Sequence, residues 1–201
     1  MKTLATELSE AIARKKFAKA ARAAVRTFVD FIDPRHVGTA VYAAGCANRL
    51  EAVRLLHEMR ADLDKPATDE AGATTAHIAA QQGHTAMVQL LYDLGADVHR
   101  AANTGDRPIH AAAQLGHDKI LLLLISLRAD IDSPGMIMRP PLMSATECGH
   151  VSTVRTLITA KCDVNRTDQD GFSAADVPLH LCGEKILQLL RDNGCISRPR
   201  G

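Results

Sequence analysis

Nine histidines and five cysteines are the residues of this chain best suited to chemistry. An imidazole can move protons near neutral pH or hold a metal, and a thiolate can attack or coordinate. Spacing argues against both uses here. Zinc sites pair their ligands as C-x₂₋₄-C or H-x₃₋₅-H. Neither pattern occurs among the histidines or among Cys46, Cys148, Cys162, Cys182 and Cys195. Cys148 with His150, and Cys182 with Cys195, come nearest, and neither completes a ligand set. The chain has no G-x-S-x-G, no G-x-x-x-x-G-K-[ST], no H-E-x-x-H and no G-x-G-x-x-G, so nucleophile elbow, phosphate cradle, zinc protease and dinucleotide loop are all missing. No catalytic residue, cofactor or metal site is expected. Cys148 is the one thiol expected on an exposed face; Cys46, Cys162 and Cys195 read as packed thiols.

Five of the histidines fall instead on a phrase that the chain rewrites. Thr74-Thr75-Ala76-His77-Ile78-Ala79-Ala80-Gln81-Gln82-Gly83-His84 returns as Arg107-Pro108-Ile109-His110-Ala111-Ala112-Ala113-Gln114-Leu115-Gly116-His117, and again from Pro140 to His150. The spacing is 33 residues each time. A fixed period of this size signals stacked supersecondary units. With the first Thr as position zero, the units start at Thr39, Thr74, Arg107, Pro140 and Ser173. Plus 17 is Leu56, Leu91, Leu124, Leu157 and Leu190, and plus 14 is Val53, Val88, Leu121, Val154 and Leu187. Each unit reads as two helices. The first is short and Ala-rich, with Pro108 and Pro141 suited to a first helical turn. A Gly-His pair breaks the chain, and the second helix carries the aliphatic stripe at helical spacing.

These residues resemble the ankyrin repeat family, whose phrase is D-x-x-G-x-T-P-L-H-x-A-A-x-x-G-H, then V-x-x-L-L, then G-A-D-V-N. The resemblance covers residues 34–196. It implies an all-α ankyrin-repeat solenoid of helix-turn-helix units joined by β-turn or hairpin loops. The expected division is 34–66, 67–100, 101–133, 134–166 and 167–196, behind a leader at 1–33 and ahead of a disordered tail at 197–201. The resemblance also implies that His77 and His110 bridge loop backbone between units. Arg60, Arg128 and Lys161 stand where the family has Gly, so each is expected in a left-handed conformation at about 1 kcal/mol. The fifth unit departs most, with Asp176 for His, Pro178 for Ala and Cys182-Gly183 for Gly-His; it reads as a terminal cap. The stretch from Leu157 to Asp163-Val164-Asn165 resembles the ankyrin motif modified by the hypoxia-pathway asparaginyl hydroxylase, which makes Asn165 a candidate modification site. The alternative is that Asn165 only stabilises its turn.

Residues 3–32 contain neither Gly nor Pro. Phe17, Ala21, Ala24, Phe28 and Phe31 form an apolar stripe, opposite Arg14, Lys15, Lys16, Lys19, Arg22 and Arg26, with no acid between Arg14 and Arg26. The segment reads as a basic amphipathic helix. It could cap the first repeat, lie on an anionic membrane or in a calmodulin-like groove through residues 10–28, serve as a presequence, or pair with a partner helix. Glu7 and Glu10 count against the presequence.

Composition narrows the remaining classes. Only 3% of residues are aromatic and Trp is absent, which suits thin aliphatic layers. Net charge is +1, so no nucleic-acid partner is expected. An odd, scattered set of cysteines argues for a reducing, intracellular setting, cytoplasmic or nuclear. No apolar run approaches the length of a membrane span, and Met1-Lys2-Thr3-Leu4 does not open a secretory signal.

The resemblance implies recognition by loop tips and by the exposed side of the first helices. The columns that drift between units there give Gln81, Gln82, Gln114, Leu115, Met136, Ile137, Arg139 and Phe172 as partner-binding residues, with Ala73 in the same columns. Leu115, Met136, Ile137 and Phe172 are apolar where a bare surface would be polar, which marks a partner patch. The alternative is a local fold over Met136–Met138 that hides its own side chains. The reading is a monomeric, non-catalytic protein-binding module: scaffold, adaptor or inhibitor. The rival readings are a regulatory segment of a larger enzyme or channel, and a membrane-peripheral adaptor held by the basic helix.

Overall fold

The computed structural model describes residues 40–67, 69–177 and 183–197. The leader at 1–33, the tail from 198, and His36, His180 and Cys182 lie outside them. The helices come in pairs at the sequence period: α1 (Ala40–Cys46) with α2 (Leu50–Glu58), α3 (Thr75–Gln81) with α4 (Thr85–Asp93), α5 (Pro108–Gln114) with α6 (Asp118–Ser126), and α7 (Pro141–Glu147) with α8 (Val151–Thr159). The fifth unit contributes α9 (Gly183–Asp192), and its Ala174–Asp176 stretch is a turn.

The first helices α1, α3, α5 and α7 stack side by side into one layer, and α2, α4, α6, α8 and α9 stack into a second. Small side chains let the first layer close up: Ala44, Ala79, Ala80, Ala112, Ala113 and Ala145 are all fully buried. The plus-17 leucines line the seam between layers, with Leu91, Leu124, Leu157 and Leu190 sealed from solvent beside Met87, Ile120, Leu121 and Ile186. Each buried aliphatic chain contributes roughly 1.5–3 kcal/mol. No unit could bury its stripe alone, so each unit's order depends on stacking against its neighbours.

The helix ends follow the residues. Thr74 Oγ1 accepts the His77 N–H (3.2 Å) as the N-cap of α3, and Pro108 and Pro141 open α5 and α7. Gly83, Gly116 and Gly149 turn the chain between helices at φ 78°, 68° and 78°. Where the family Gly is replaced after the second helix, Arg60, Arg128 and Lys161 adopt the left-handed form at φ 63°, 69° and 66°.

Among the described residues there is no strand. Each loop closes with a single hairpin-like bond: Ala67 N–H to Ala73 O (2.8 Å), Ala102 to Asp106 (2.8 Å), Gly135 to Arg139 (2.8 Å) and Asp168 to Phe172 (3.0 Å). Neighbouring loops are bonded in turn. Asn103 N–H donates to Ala71 O (2.9 Å), Met136 N–H to Asp106 Oδ1 (2.8 Å), and Gln169 N–H to Ile137 O (3.2 Å). The four tips therefore make one continuous ridge.

Candidate binding surface

Five of the described histidines, His84, His99, His110, His117 and His150, use their rings to hold backbone. His110 is buried; its Nδ1 accepts the Arg107 N–H (3.1 Å) and its Nε2 donates to Ser133 O (2.9 Å). The Gly-His rings reach backwards. His84 Nε2 faces Cys46 O (3.4 Å), His117 faces Gln81 O (3.0 Å), and His150 faces Gln114 O (2.9 Å). Those carbonyls end first helices, where the helix itself supplies no partner. The His117 and His150 rings also lie over the preceding unit's glycine. A methyl on Gly116 would stand 2.7 Å from His150 Nδ1, and one on Gly83 would stand 3.1 Å from the His117 ring. His99 Nε2 adds a bond to Leu127 O (3.0 Å). The sequence puts the Gly-His rings in turns and carries no sign of their reach.

Burial lowers the basicity of His77 and His110, the largest cause in both, against a pull the other way from the Asp106 carboxylate. Both rings thus stay neutral in the folded array at pH values where the unfolded chain protonates. Below the ordinary imidazole value of about 6.5 the unfolded state binds the extra protons, so stability falls as pH drops. The fall continues to the lower folded-state values, at up to about 1.4 kcal/mol per pH unit for each ring. Urea midpoints measured at pH 7.5 and 5.5 should show the loss, and a flat profile would contradict it.

The thiols are similarly quiet. Burial, helped by Asp132 and Asp163, pushes Cys162 up to about 12. Cys148 is exposed, but partial burial and then Glu147 raise it as well. Among the described residues no cluster of three or more His, Cys, Asp or Glu gathers as a metal would require.

Gln81, Gln82 and Gln114 are exposed on the first-helix face. Leu115, Met136, Ile137 and Phe172 are 44%, 52%, 40% and 41% exposed, so the Met136–Met138 loop does not hide its side chains. Ala73, from the same drifting columns, is buried. Arg139 is also less free than the sequence suggests. Its guanidinium pairs with Glu147 and lies 4.0 Å from the buried Asp168 carboxylate. Between α5 and α7 these side chains bound a shallow hollow of about 70 Å³, lined by Asp106, Gln114, Met136, Arg139, Glu147 and Cys148. Asn165 sits apart, in the turn after α8. Its Nδ2 donates to Gly194 O (3.1 Å) and its Oδ1 accepts the Ile196 N–H (2.8 Å), which fastens the fourth unit to the end of the fifth.

The third loop is strained. Ile137 and Met138 have φ of 51° and 61°, and a β-branched residue there is an outlier. The sister loops put Gly72, Gly105 and Gly171 in the Met138 column. Met138→Gly should raise stability by about 0.5–1 kcal/mol, since the exposed methionine loses little packing. A urea midpoint that does not rise would show that the methionine contacts offset the strain.

A family model described as ankyrin repeats (3 copies) matches residues 40–135, and one described as ankyrin repeat matches residues 139–169. No curated protein matches the chain. Together the two matches span more than half of it, and they run unit for unit over the paired helices and the loops that join them. The chain belongs to the ankyrin repeat family.

Proposed function

We propose that this chain is a non-catalytic binding protein, acting as a scaffold, adaptor or inhibitor, which holds a protein partner on its loop ridge and first-helix face. Ankyrin repeats in general serve protein–protein interaction. One observation carries the placement: four large apolar side chains, Leu115, Met136, Ile137 and Phe172, stand exposed beside polar neighbours. Solvent alone would favour polar residues at these positions. The backbone strain at Ile137 supports the same reading, because strain persists where a side chain must be held in a set place. The ridge is bonded from loop to loop, so little entropy is lost on binding.

The partner is to be captured from native cell extract with the wild-type chain and identified by mass spectrometry, then titrated directly. Met136→Ala and Phe172→Ala should each weaken binding by about 1–2 kcal/mol with urea midpoints unchanged. Unchanged affinity in the double variant would remove the apolar ridge as the site. Loss of folding would make the two residues part of the core.

A further inference from the structure

The loop ridge is acidic as well as apolar. Asp69, Glu70 and Asp170 are exposed along it, with the half-buried Asp106 between them. Among the described residues the cation on this ridge is Arg139, and Glu147 already holds it. The Arg107 guanidinium turns to the opposite edge, where it donates to His99 O (2.8 Å). A surface that alternates uncancelled carboxylates with exposed Leu, Met, Ile and Phe selects a segment that is basic and carries large apolar side chains. The chain contains one. Residues 12–31 hold Arg14, Lys15, Lys16, Lys19, Arg22 and Arg26 together with Phe17, Phe28 and Phe31.

We propose that residues 12–31 dock along the ridge and first-helix face of the same molecule and cover the surface assigned above to a protein partner; the inference rests on that assignment. Length fits. Twenty residues of helix extend about 30 Å. The three steps from α1 to α7, at roughly 8–10 Å between neighbouring helices, come to about 24–30 Å. Entry fits too. First helices begin where their loops end, as α3 follows the Asp69–Ala73 loop. By the same order α1 begins at Ala40 on the loop edge, on the side of the first pair of carboxylates.

The test uses the whole chain at high dilution. A zero-length carbodiimide couples lysine amines to carboxylates, and mass spectrometry locates the links. Lys15, Lys16 and Lys19 should couple to Glu70, Asp106 and Asp170 within one chain, several-fold more than to Glu51 and Glu58 of α2. The yield should collapse in about 1 M NaCl, where the screening length is about 3 Å. Coupling centred on Glu51 and Glu58, coupling spread evenly over all carboxylates, or links found only in dimers would each overturn the proposal. The two readings fail separately. Should Met136→Ala/Phe172→Ala abolish partner capture while the lysines couple elsewhere, the docking falls and the binding surface stands. Should the lysines couple to the ridge while that double variant still captures the partner, the docking stands and the binding surface falls.

Discussion

Replacing His110 with alanine should lower the stability of the array by about 3 kcal/mol. The neutral ring, protonated at Nε2, serves two backbone groups at once. It accepts from Arg107 at the start of α5 and donates to Ser133 just ahead of the next loop. One imidazole therefore caps α5 and ties it to the chain that leads into the next loop. Alanine strands an N–H and a carbonyl in a buried site, at roughly 1–3 kcal/mol each, and leaves a void besides. Urea unfolding at pH 7.5 should show a lower midpoint with an unchanged slope. A loss under about 1 kcal/mol would mean that the loop relaxes enough to rescue both groups. His110→Gln, which keeps an acceptor within reach, should recover part of the deficit.

Leu121→Ala should cost about 3 kcal/mol by a different route. Leu121 is fully buried in α6, and α6 lies between α4 and α8. The cavity thus opens in the middle of the stack, where both neighbours lean on the same unit. In a one-dimensional array such an interior defect weakens two interfaces, whereas a terminal defect weakens one. Leu190→Ala in α9, equally sealed from solvent, should fray the fifth unit and leave most of the array standing. Hydrogen exchange separates the two cases: global loss of protection for Leu121→Ala, local loss after residue 167 for Leu190→Ala. Equal and global losses from both would mean that the five units melt as one body.

The architecture was legible because its determinants are periodic. Leucines 33 residues apart can share a seam only if their helices stack in register, and the layers of α1–α9 follow from that. The left-handed Arg60, Arg128 and Lys161 were readable for the same reason, since a turn forced by its neighbours keeps its shape when Gly is replaced. What escaped the sequence is where side chains reach. His150 meets the Gln114 carbonyl 36 residues back, and Arg139 is taken by Glu147 from the helix that follows it; residue type at a column does not say which partner a side chain finds. Ala73 and Phe172 share a column, yet one is buried and the other exposed, because drift in a column reports tolerance rather than solvent contact. The fifth unit shows a role surviving a change of residue. Asp176 stands at the histidine position, and its Oδ2 accepts the Ser173 N–H (2.9 Å) as His110 Nδ1 accepts that of Arg107.

The backward reach of the imidazoles makes the joints unequal. His84, His117 and His150 each close the carbonyl left open by the unit before, but Gly183 occupies that column in the last unit. Among the described residues no imidazole meets the Glu147 carbonyl, and beside the loop bond from Gln169 to Ile137 the final joint is held by Asn165 and by the Cys195 thiol that donates to Val164 O (3.1 Å). Under tension applied at its two ends, the molecule should part first at that last hinge, shedding one slab while four stay latched.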